Sequence, residues 1–275
     1  MAAATKLVGT LSFAALASML IMSAGTPWAA PPVTQTERPS LDVPYVPTPR
    51  PVVDQMLELA APTGEDFLID LGSGDGRLPI TAAERFGTRG LGIDIDPRRI
   101  AEARENAGRA GVANKVTFRQ ENLFETDISN ATILTLYLLP SVNIKLRPKI
   151  LKELKPGTRV VSHDWDMGDW KPDRKVELGR KTVYMWVVPG SVEGRWQVSD
   201  QYGGTDFALA LKQRYQEIDG EAEIDGRQVP LENARIEGER ITFELRGENG
   251  ETRRYQGRLA EERIEGDDWQ AKRRS

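Results

Sequence analysis

The stretch DLGSGDG, from Asp70 to Gly76, has the residue types and spacing of a loop that binds a nucleotide-like ligand. It follows the apolar run from Phe67 to Ile69 and precedes a segment with helical spacing. Glycines at every second position let the backbone turn from a strand into a helix and let a ligand approach the main chain closely. A carboxylate at Asp70 could pair with an amine of that ligand.

A second carboxylate, Asp94, ends the next apolar run, where a βαβ unit presents an acidic side chain to a ribose. The glycines are spaced Gly-x-Gly-x-Gly, and Arg77 stands where dinucleotide-binding folds have their last glycine. A pyrophosphate needs close packing at the helix N-terminus, so Arg77 disfavours an NAD-dependent oxidoreductase. The loop is open enough for an amino-acid tail.

Alternating apolar strands and amphipathic helices surround these motifs and must position them. This pattern predicts a parallel sheet covered by helices on both faces. The predicted strands are 67–70, 90–95, 116–120, 131–138 and 159–162, and the predicted helices begin near Pro51 and cover 78–85, 98–110 and 142–154.

After about Gly190 the pattern changes to strict alternation of apolar and polar residues, with an Asn-Gly turn at Asn249. Such alternation predicts an antiparallel meander of about six short strands, forming a small sheet or partial barrel. We therefore expect four regions: an N-terminal segment at 1–30, a proline-rich lead-in at 31–50, an α/β domain at 51–190 and an antiparallel β domain at 191–275.

The composition excludes some classes of function. The chain has 275 residues, no cysteine and a formal net charge of −4. The absence of cysteine excludes disulfides and thiolate chemistry. A slightly negative chain lacks the basic face of a general nucleic-acid binder, so no nucleic-acid partner is expected.

The first thirty residues have the pattern of a secretory signal peptide. Lys6 precedes an apolar centre from Leu11 to Met22, and small residues follow, including Gly25 and Ala30 as candidate cleavage sites. The alternative is an uncleaved membrane anchor, which would be the chain's only membrane contact. Both interpretations place the remaining chain outside the cytoplasm.

Three motifs in this order resemble the class I S-adenosylmethionine-dependent methyltransferases, over about residues 43–190: the glycine loop, Gly92-Ile93-Asp94, and Gln120 to Leu123. The resemblance implies a Rossmann-like sheet with S-adenosylmethionine as cofactor. It implies that the loop binds the methionine and ribose end, that Asp94 binds the ribose hydroxyls, that Ile95 lies against the adenine, and that Asn122 replaces the family's frequent aspartate at the adenine amino group. The implied cofactor-binding residues are Asp70, Gly72, Ser73, Gly74, Gly76, Asp94, Ile95, Asn122 and Leu123.

A closer resemblance is to the branch that contains the ATP-synthase c-subunit lysine methyltransferases and related bacterial proteins. It is carried by the lead-in PYVPTP at 44–49, by LLPSV at 138–142 and by PGTRVVS at 156–162. This branch implies that the lead-in folds over the cofactor. A protein lysine is therefore slightly favoured over a small molecule as methyl acceptor. The region after Gly190 lies outside this resemblance.

The catalytic residues are less well defined, because the sulfonium donor is already activated and the protein mainly holds the acceptor in line. The candidates are Tyr45, Tyr137 and Asp164. The sequence after Tyr137 lacks the Asp/Asn-Pro-Pro-aromatic motif of enzymes that methylate nucleic-acid bases. His163 could face the substrate, but one histidine among carboxylates predicts no metal site.

A second class of function stays open at this point. S-adenosylmethionine is made in the cytoplasm, so an exported chain could keep the fold and a ligand without methylating anything.

Overall fold

A seven-stranded sheet organises the first part of the computed structural model, which describes residues 45–201, 206–247 and 249–274. Its strand order is β3-β2-β1-β4-β5-β7-β6, and β7 alone runs antiparallel to its neighbours. The elements are α1 (Arg50–Ala60), β1 (Phe67–Leu71), α2 (Arg77–Phe86), β2 (Arg89–Asp94), α3 (Pro97–Arg109), β3 (Val116–Gln120), β4 (Ile133–Leu136), α4 (Pro140–Glu153), β5 (Arg159–His163), β6 (Arg174–Leu178) and β7 (Lys181–Val187).

Alternating side chains of the central strands form two apolar cores, one on each face of the sheet. Leu68 and Ile133 pack with α1 and α2, whereas Ile69 and Leu134 pack with α4. The predicted sheet with helices on both faces is therefore confirmed. It differs from the predicted parallel sheet by two further strands, β6 and β7, of which β7 is antiparallel. The 164–173 loop between β5 and β6 contains no helix.

The 164–173 loop nevertheless covers part of one face of the sheet. Its Met167 and Trp170 are fully buried in the same core as α4. Trp186 of β7 donates a 2.8 Å hydrogen bond from its indole N–H to the carbonyl of Trp170. Two buried aromatic side chains thus cover this face of the sheet beside α4, where the connection has no helix.

The second part of the chain is an antiparallel barrel, which confirms the predicted antiparallel β domain and favours the partial-barrel alternative over a small sheet. Eight of its nine strands form a closed ring around an apolar interior, and β11 pairs beside β10. The prediction of about six strands was wrong, because wall strands bury only one side and carry charges on the other. The strands are β8 (Gly194–Asp200), β9 (Phe207–Arg214), β10 (Glu217–Ile224), β11 (Arg227–Pro230), β12 (Glu232–Glu237), β13 (Arg240–Arg246), β14 (Thr252–Ala260), β15 (Arg263–Gly266) and β16 (Trp269–Arg273).

The N-terminal segment predicted at 1–30, and most of the lead-in, lie outside the described residues. Within the described part of the chain, every helix is too short or too polar to cross a membrane. The described end of the lead-in runs into α1, and its residues 45–48 line the cavity described next.

Candidate active site

Most of the residues singled out in the sequence line one cavity at the carboxyl ends of the parallel strands, where ligands bind in open α/β sheets. They come from the glycine loop after β1, the end of β2, the turn after β3, the end of β4 and the lead-in. The predicted residues that line it are Tyr45, Asp70, Gly72, Ser73, Gly74, Asp94, Ile95, Asn122, Leu123 and Tyr137.

The glycine loop forms a backbone cradle in this cavity. Gly72 and Ser73 each donate a 2.8 Å backbone hydrogen bond to the carbonyl of Ile93, which fixes the loop against β2. Gly72 and Gly74 have φ values of 78° and 53°, in the left-handed region that favours glycine. The hydroxyl of Ser73 is buried and has no hydrogen-bond partner among the described residues, and it lies 2.7 Å from the place that a Cβ on Gly92 of β2 would take, so it packs against β2.

Gly76, also expected to bind the ligand, is not among the residues that line the cavity. It caps α2 with φ 80°, and a Cβ there would lie 2.6 Å from the Phe118 ring and 3.0 Å from the Cβ of Ala103. The third glycine is therefore required for close packing of α2 on β3 and α3.

Asp70 is a buried carboxylate in the cavity wall, only 4% exposed. Burial raises its pKa to about 7, with a smaller contribution from the neighbouring charges of Asp94 and Asp75. The Thr135 hydroxyl opposes this shift by donating a 2.6 Å hydrogen bond to the Asp70 carboxylate. A cationic amine in the cavity would favour the ionised form of this group.

Asp94 is held in place by backbone donors. Its Oδ2 accepts a 3.0 Å hydrogen bond from the Gly74 amide, and its Oδ1 accepts a 2.9 Å hydrogen bond from the Asp96 amide. Each carboxylate oxygen keeps a further lone pair for a ligand. This arrangement suits a pair of neighbouring hydroxyl groups such as those of a ribose.

The side chain of Asn122, expected to contact the adenine, already uses part of its hydrogen-bonding capacity within the protein. Asn122 uses its Oδ1 to accept a 3.0 Å hydrogen bond from the Phe124 amide, and its Nδ2 donates to Glu125. The amide oxygen thus caps its own turn and keeps one lone pair for the cavity. Ile95 and Leu123 provide apolar side chains in the same wall.

The sequence analysis did not identify several residues that line the cavity, among them Arg77, which joins the lead-in to the glycine loop. Its Nη1 donates a 2.6 Å hydrogen bond to the carbonyl of Thr48, and its Nη2 lies 2.5 Å from Oδ2 of Asp75. Arg99 lies over the Tyr45 ring, 4.5 Å from its centroid. The departure from the dinucleotide pattern at Arg77 could have indicated this tether of the lead-in to the glycine loop.

Aromatic groups form the opposite side of the cavity. Tyr137 stacks on His163 with ring centroids 3.8 Å apart, and Nδ1 of His163 lies 3.2 Å from the Thr48 hydroxyl. His163 is fully buried, and this burial lowers its pKa to about 4, so the ring is neutral near pH 7. Trp165 is 40% exposed at the mouth of the cavity.

Asp164, a candidate for catalysis, does not line the cavity. Its Oδ2 accepts a 2.6 Å hydrogen bond from Lys181, and its Oδ1 accepts a 3.0 Å bond from the Thr182 amide. Although its partial burial acts to raise the pKa, these donors and the positive charges nearby hold it below its usual range. The structure therefore places Asp164 in an ion pair beside the site. No cluster of metal-binding side chains occurs among the residues described above.

The family model and the relatives that match this chain are all methyltransferases. The model of the family described as the ANTKMT methyltransferase domain matches residues 70–174. A protein-lysine N-methyltransferase of Saccharolobus islandicus (strain REY15A) is 48% identical over 151 residues, which are 53% of this chain and 94% of that protein. An ATP-synthase c-subunit lysine N-methyltransferase of Xenopus laevis is 29% identical over 167 residues, covering 60% of this chain and 70% of that protein.

A solved structure is also similar to this chain. The crystal structure of an RNA methyltransferase from Salinibacter ruber, in complex with S-adenosyl-L-homocysteine, has 61% sequence identity and a TM-score of 0.53. The match covers 54% of this chain and 96% of that one. The family-model match ends before the barrel begins.

Proposed function

We propose that this chain, which belongs to the S-adenosylmethionine-dependent methyltransferases with an ANTKMT methyltransferase domain, methylates the ε-amino group of a lysine in a protein. It is an enzyme and its cofactor is S-adenosylmethionine, so the alternative of a non-catalytic binding protein is set aside. The similarity to a protein-lysine N-methyltransferase along 94% of that protein carries the choice of acceptor.

The residues in the cavity fit this cofactor. Asp70 would hold its ammonium group, and Asp94 would hold its ribose hydroxyls. The left-handed backbone at Gly72 and Gly74 lets a ligand approach the main chain of the loop, next to a carboxylate of Asp94 that two backbone amides already hold in place. When bound, the cofactor supplies a methyl group already activated by the positive sulfonium.

The aromatic side of the cavity supports an amine as acceptor. An amine must lose its proton before it can attack a methyl group. The Asp164 carboxylate is paired with Lys181, and burial lowers the pKa of His163 so that its ring is a weak base. Neither side chain therefore offers a strong base to the cavity. Instead, the ammonium would lose its proton to solvent at the mouth, and Tyr137 and Trp165 would then hold the neutral amine in line with the methyl group.

RNA is the second candidate acceptor, because the Salinibacter ruber protein is named an RNA methyltransferase. A small molecule is the third. A direct test incubates the purified enzyme and labelled S-adenosylmethionine with an extract in which endogenous methylation has been inactivated. We expect label in a protein band that survives ribonuclease and yields methyl-lysine on hydrolysis. Label that only ribonuclease removes, or label only in small molecules, would overturn the lysine proposal.

We further propose that residues 1–30 direct export or anchor the chain, so that the enzyme acts outside the cytoplasm. The charged start, apolar centre and small residues that follow support this. Mass spectrometry of the mature N-terminus in cell fractions tests it. An intact chain starting at Met1 in the cytosolic fraction would contradict export.

A further inference from the structure

We propose that a turn of the barrel positions the mouth of the active site. The turn, residues 214–216, joins β9 to β10 and contacts the 164–173 loop, which carries Trp165 at the cavity. We call residues 214–216 the clamp. The inference rests on the proposed function in one respect, namely that the acceptor enters past Trp165.

Gln216 fixes the middle of the loop. This side chain is buried, and both ends of its amide are used. Its Oε1 accepts a 3.0 Å hydrogen bond from the indole N–H of Trp170, and its Nε2 donates a 2.6 Å bond to the carbonyl of Lys171. A buried amide satisfied on both sides holds the loop backbone and the Trp170 ring in one arrangement.

Asp169 joins the clamp to α4. It accepts hydrogen bonds from Nη2 of Arg214 at 2.7 Å and from the hydroxyl of Tyr215 at 3.2 Å. Arg147 of α4 also pairs with Asp169 and donates a 2.6 Å hydrogen bond to the carbonyl of Met167. The hydrogen bond from Arg214 is the main reason that the pKa of Asp169 falls to about 2, so this carboxylate stays ionised.

The clamp acts close to Trp165, because only three residues separate Trp165 from Asp169. On the other side, the carbonyl of Trp165 accepts hydrogen bonds from the Ser162 hydroxyl at 2.6 Å and from Nδ2 of Asn143 at 3.1 Å. The short span is thus held at both ends: Trp165 is held by the sheet domain, and Asp169 is held by the barrel together with Arg147 of α4. Releasing the barrel end would free Trp165 to move at the mouth.

The clamp lies apart from the cofactor side of the cavity. None of its residues lines the cavity, whereas the glycine loop and Asp94 are held by contacts within the sheet domain. The family-model match ends at residue 174, so the clamp belongs to a region outside that match. Its loss is therefore expected to affect the acceptor step and to leave cofactor binding unchanged. Arg214, Tyr215 and Gln216 are positioning residues in this sense.

Hydrogen–deuterium exchange of the full chain tests the clamp without any acceptor. In Arg214→Ala and Tyr215→Phe, we expect backbone amides in 165–170 to exchange at least about fivefold faster than in the wild type, because the loop opens locally more often. Exchange in 70–76 and affinity for S-adenosylhomocysteine should stay unchanged. Arg214→Lys keeps a cation beside Asp169 and should restore slow exchange.

Arg258→Ala is the matched control, since Arg258 forms an exposed ion pair with Glu239 on the same barrel. It should leave exchange in 165–170 unchanged. If Arg214→Ala fails to fold, Tyr215→Phe still decides, because it removes only one hydroxyl. Wild-type exchange rates in 165–170 in the folded variants would overturn the proposal, as would equal acceleration in Arg258→Ala.

A kinetic measurement with poly-L-lysine as acceptor separates the two proposals. The clamp predicts that Arg214→Ala raises the KM for poly-L-lysine at least about fivefold with little change in kcat, and that Arg214→Lys reverses this. A drop in kcat with an unchanged KM would contradict positioning of the entrance. If the wild type leaves poly-L-lysine unmethylated while exchange in 165–170 responds as expected, that result counts against the lysine acceptor and the loop contact stands.

Discussion

The buried carboxylate of Asp70 predicts a specific pH dependence of cofactor binding. With a pKa of about 7 in the free enzyme, Asp70 is mostly protonated at pH 5.5 and mostly ionised at pH 7.5. If the ligand's ammonium binds only the ionised form, affinity follows the ionised fraction. That fraction falls about 25-fold between these two pH values, which corresponds to about 1.9 kcal/mol.

Isothermal titration calorimetry with S-adenosylhomocysteine measures both the affinity and the accompanying proton release. In buffers of different ionisation enthalpy, we expect release of about one proton at pH 5.5 and about 0.2 at pH 7.5, because binding shifts Asp70 to its ionised form. Asp70→Asn should weaken binding at pH 7.5 and remove most of the pH dependence. Asp219→Asn, an exposed carboxylate on the barrel, should keep the wild-type profile.

The opposite sign applies to the stability of the free enzyme. The folded pKa of Asp70 lies above its usual value of 3.8, so the native state binds more protons between these values. Asp70 therefore stabilises the free fold more as the pH falls from 7 towards 4, with an upper limit of about 4 kcal/mol.

Equal affinity at pH 5.5 and 7.5, or a wild-type slope in Asp70→Asn, would refute the pairing of this carboxylate with the ligand.

Three further substitutions test separate parts of the glycine loop and its surroundings. Asp94→Ala should weaken S-adenosylhomocysteine binding by at least about tenfold, through loss of charged hydrogen bonds, in the same calorimetric assay; unchanged affinity would exclude Asp94 as the ribose ligand. Gly74→Ala, at φ 53° and against the Tyr45 ring, should displace that ring and weaken binding about tenfold, with a loss of about 1 kcal/mol in unfolding free energy from denaturant titration. Gly76→Ala should lower the free energy of unfolding by about 2 kcal/mol or more in the same titration, because the new Cβ clashes with the Phe118 ring. The folded fraction of this variant should bind the ligand with wild-type affinity. Weaker binding by the folded variant would show that Gly76 contributes to the ligand site.

The features that the sequence predicted well are those fixed by local chain geometry. The order of strands and helices follows from apolar periodicity, and the glycine loop and Asp94 follow strand ends that must share one edge of a parallel sheet. Their convergence in one cavity therefore needed no knowledge of side-chain packing.

The errors concern contacts between segments far apart in the sequence. Gly76 has the same spacing as its neighbours, but it faces Phe118 instead of the cavity. Asp164 follows a strand end like the other site residues, but its carboxylate forms an ion pair with Lys181 of the antiparallel strand β7. Only the folded chain shows which partner a glycine or carboxylate meets.

The barrel strands were undercounted for a related reason. Their outward side chains include many arginines, as in β14, and glutamates, as in β10, so each strand shows only a few apolar positions. Ring closure then depends on a pairing between β9, β10 and β12 that local alternation does not encode.

The contact between Tyr215 and Trp170 also bears on how cooperatively the enzyme unfolds. Tyr215 belongs to the barrel but packs on the apolar core between the sheet and α4, with its ring 5.9 Å from that of Trp170. The described residues also fall within one compact unit. The two halves therefore share part of a core, and melting the barrel would expose Trp170 to water. We therefore expect the full chain to unfold in one transition, with a single melting point in differential scanning calorimetry.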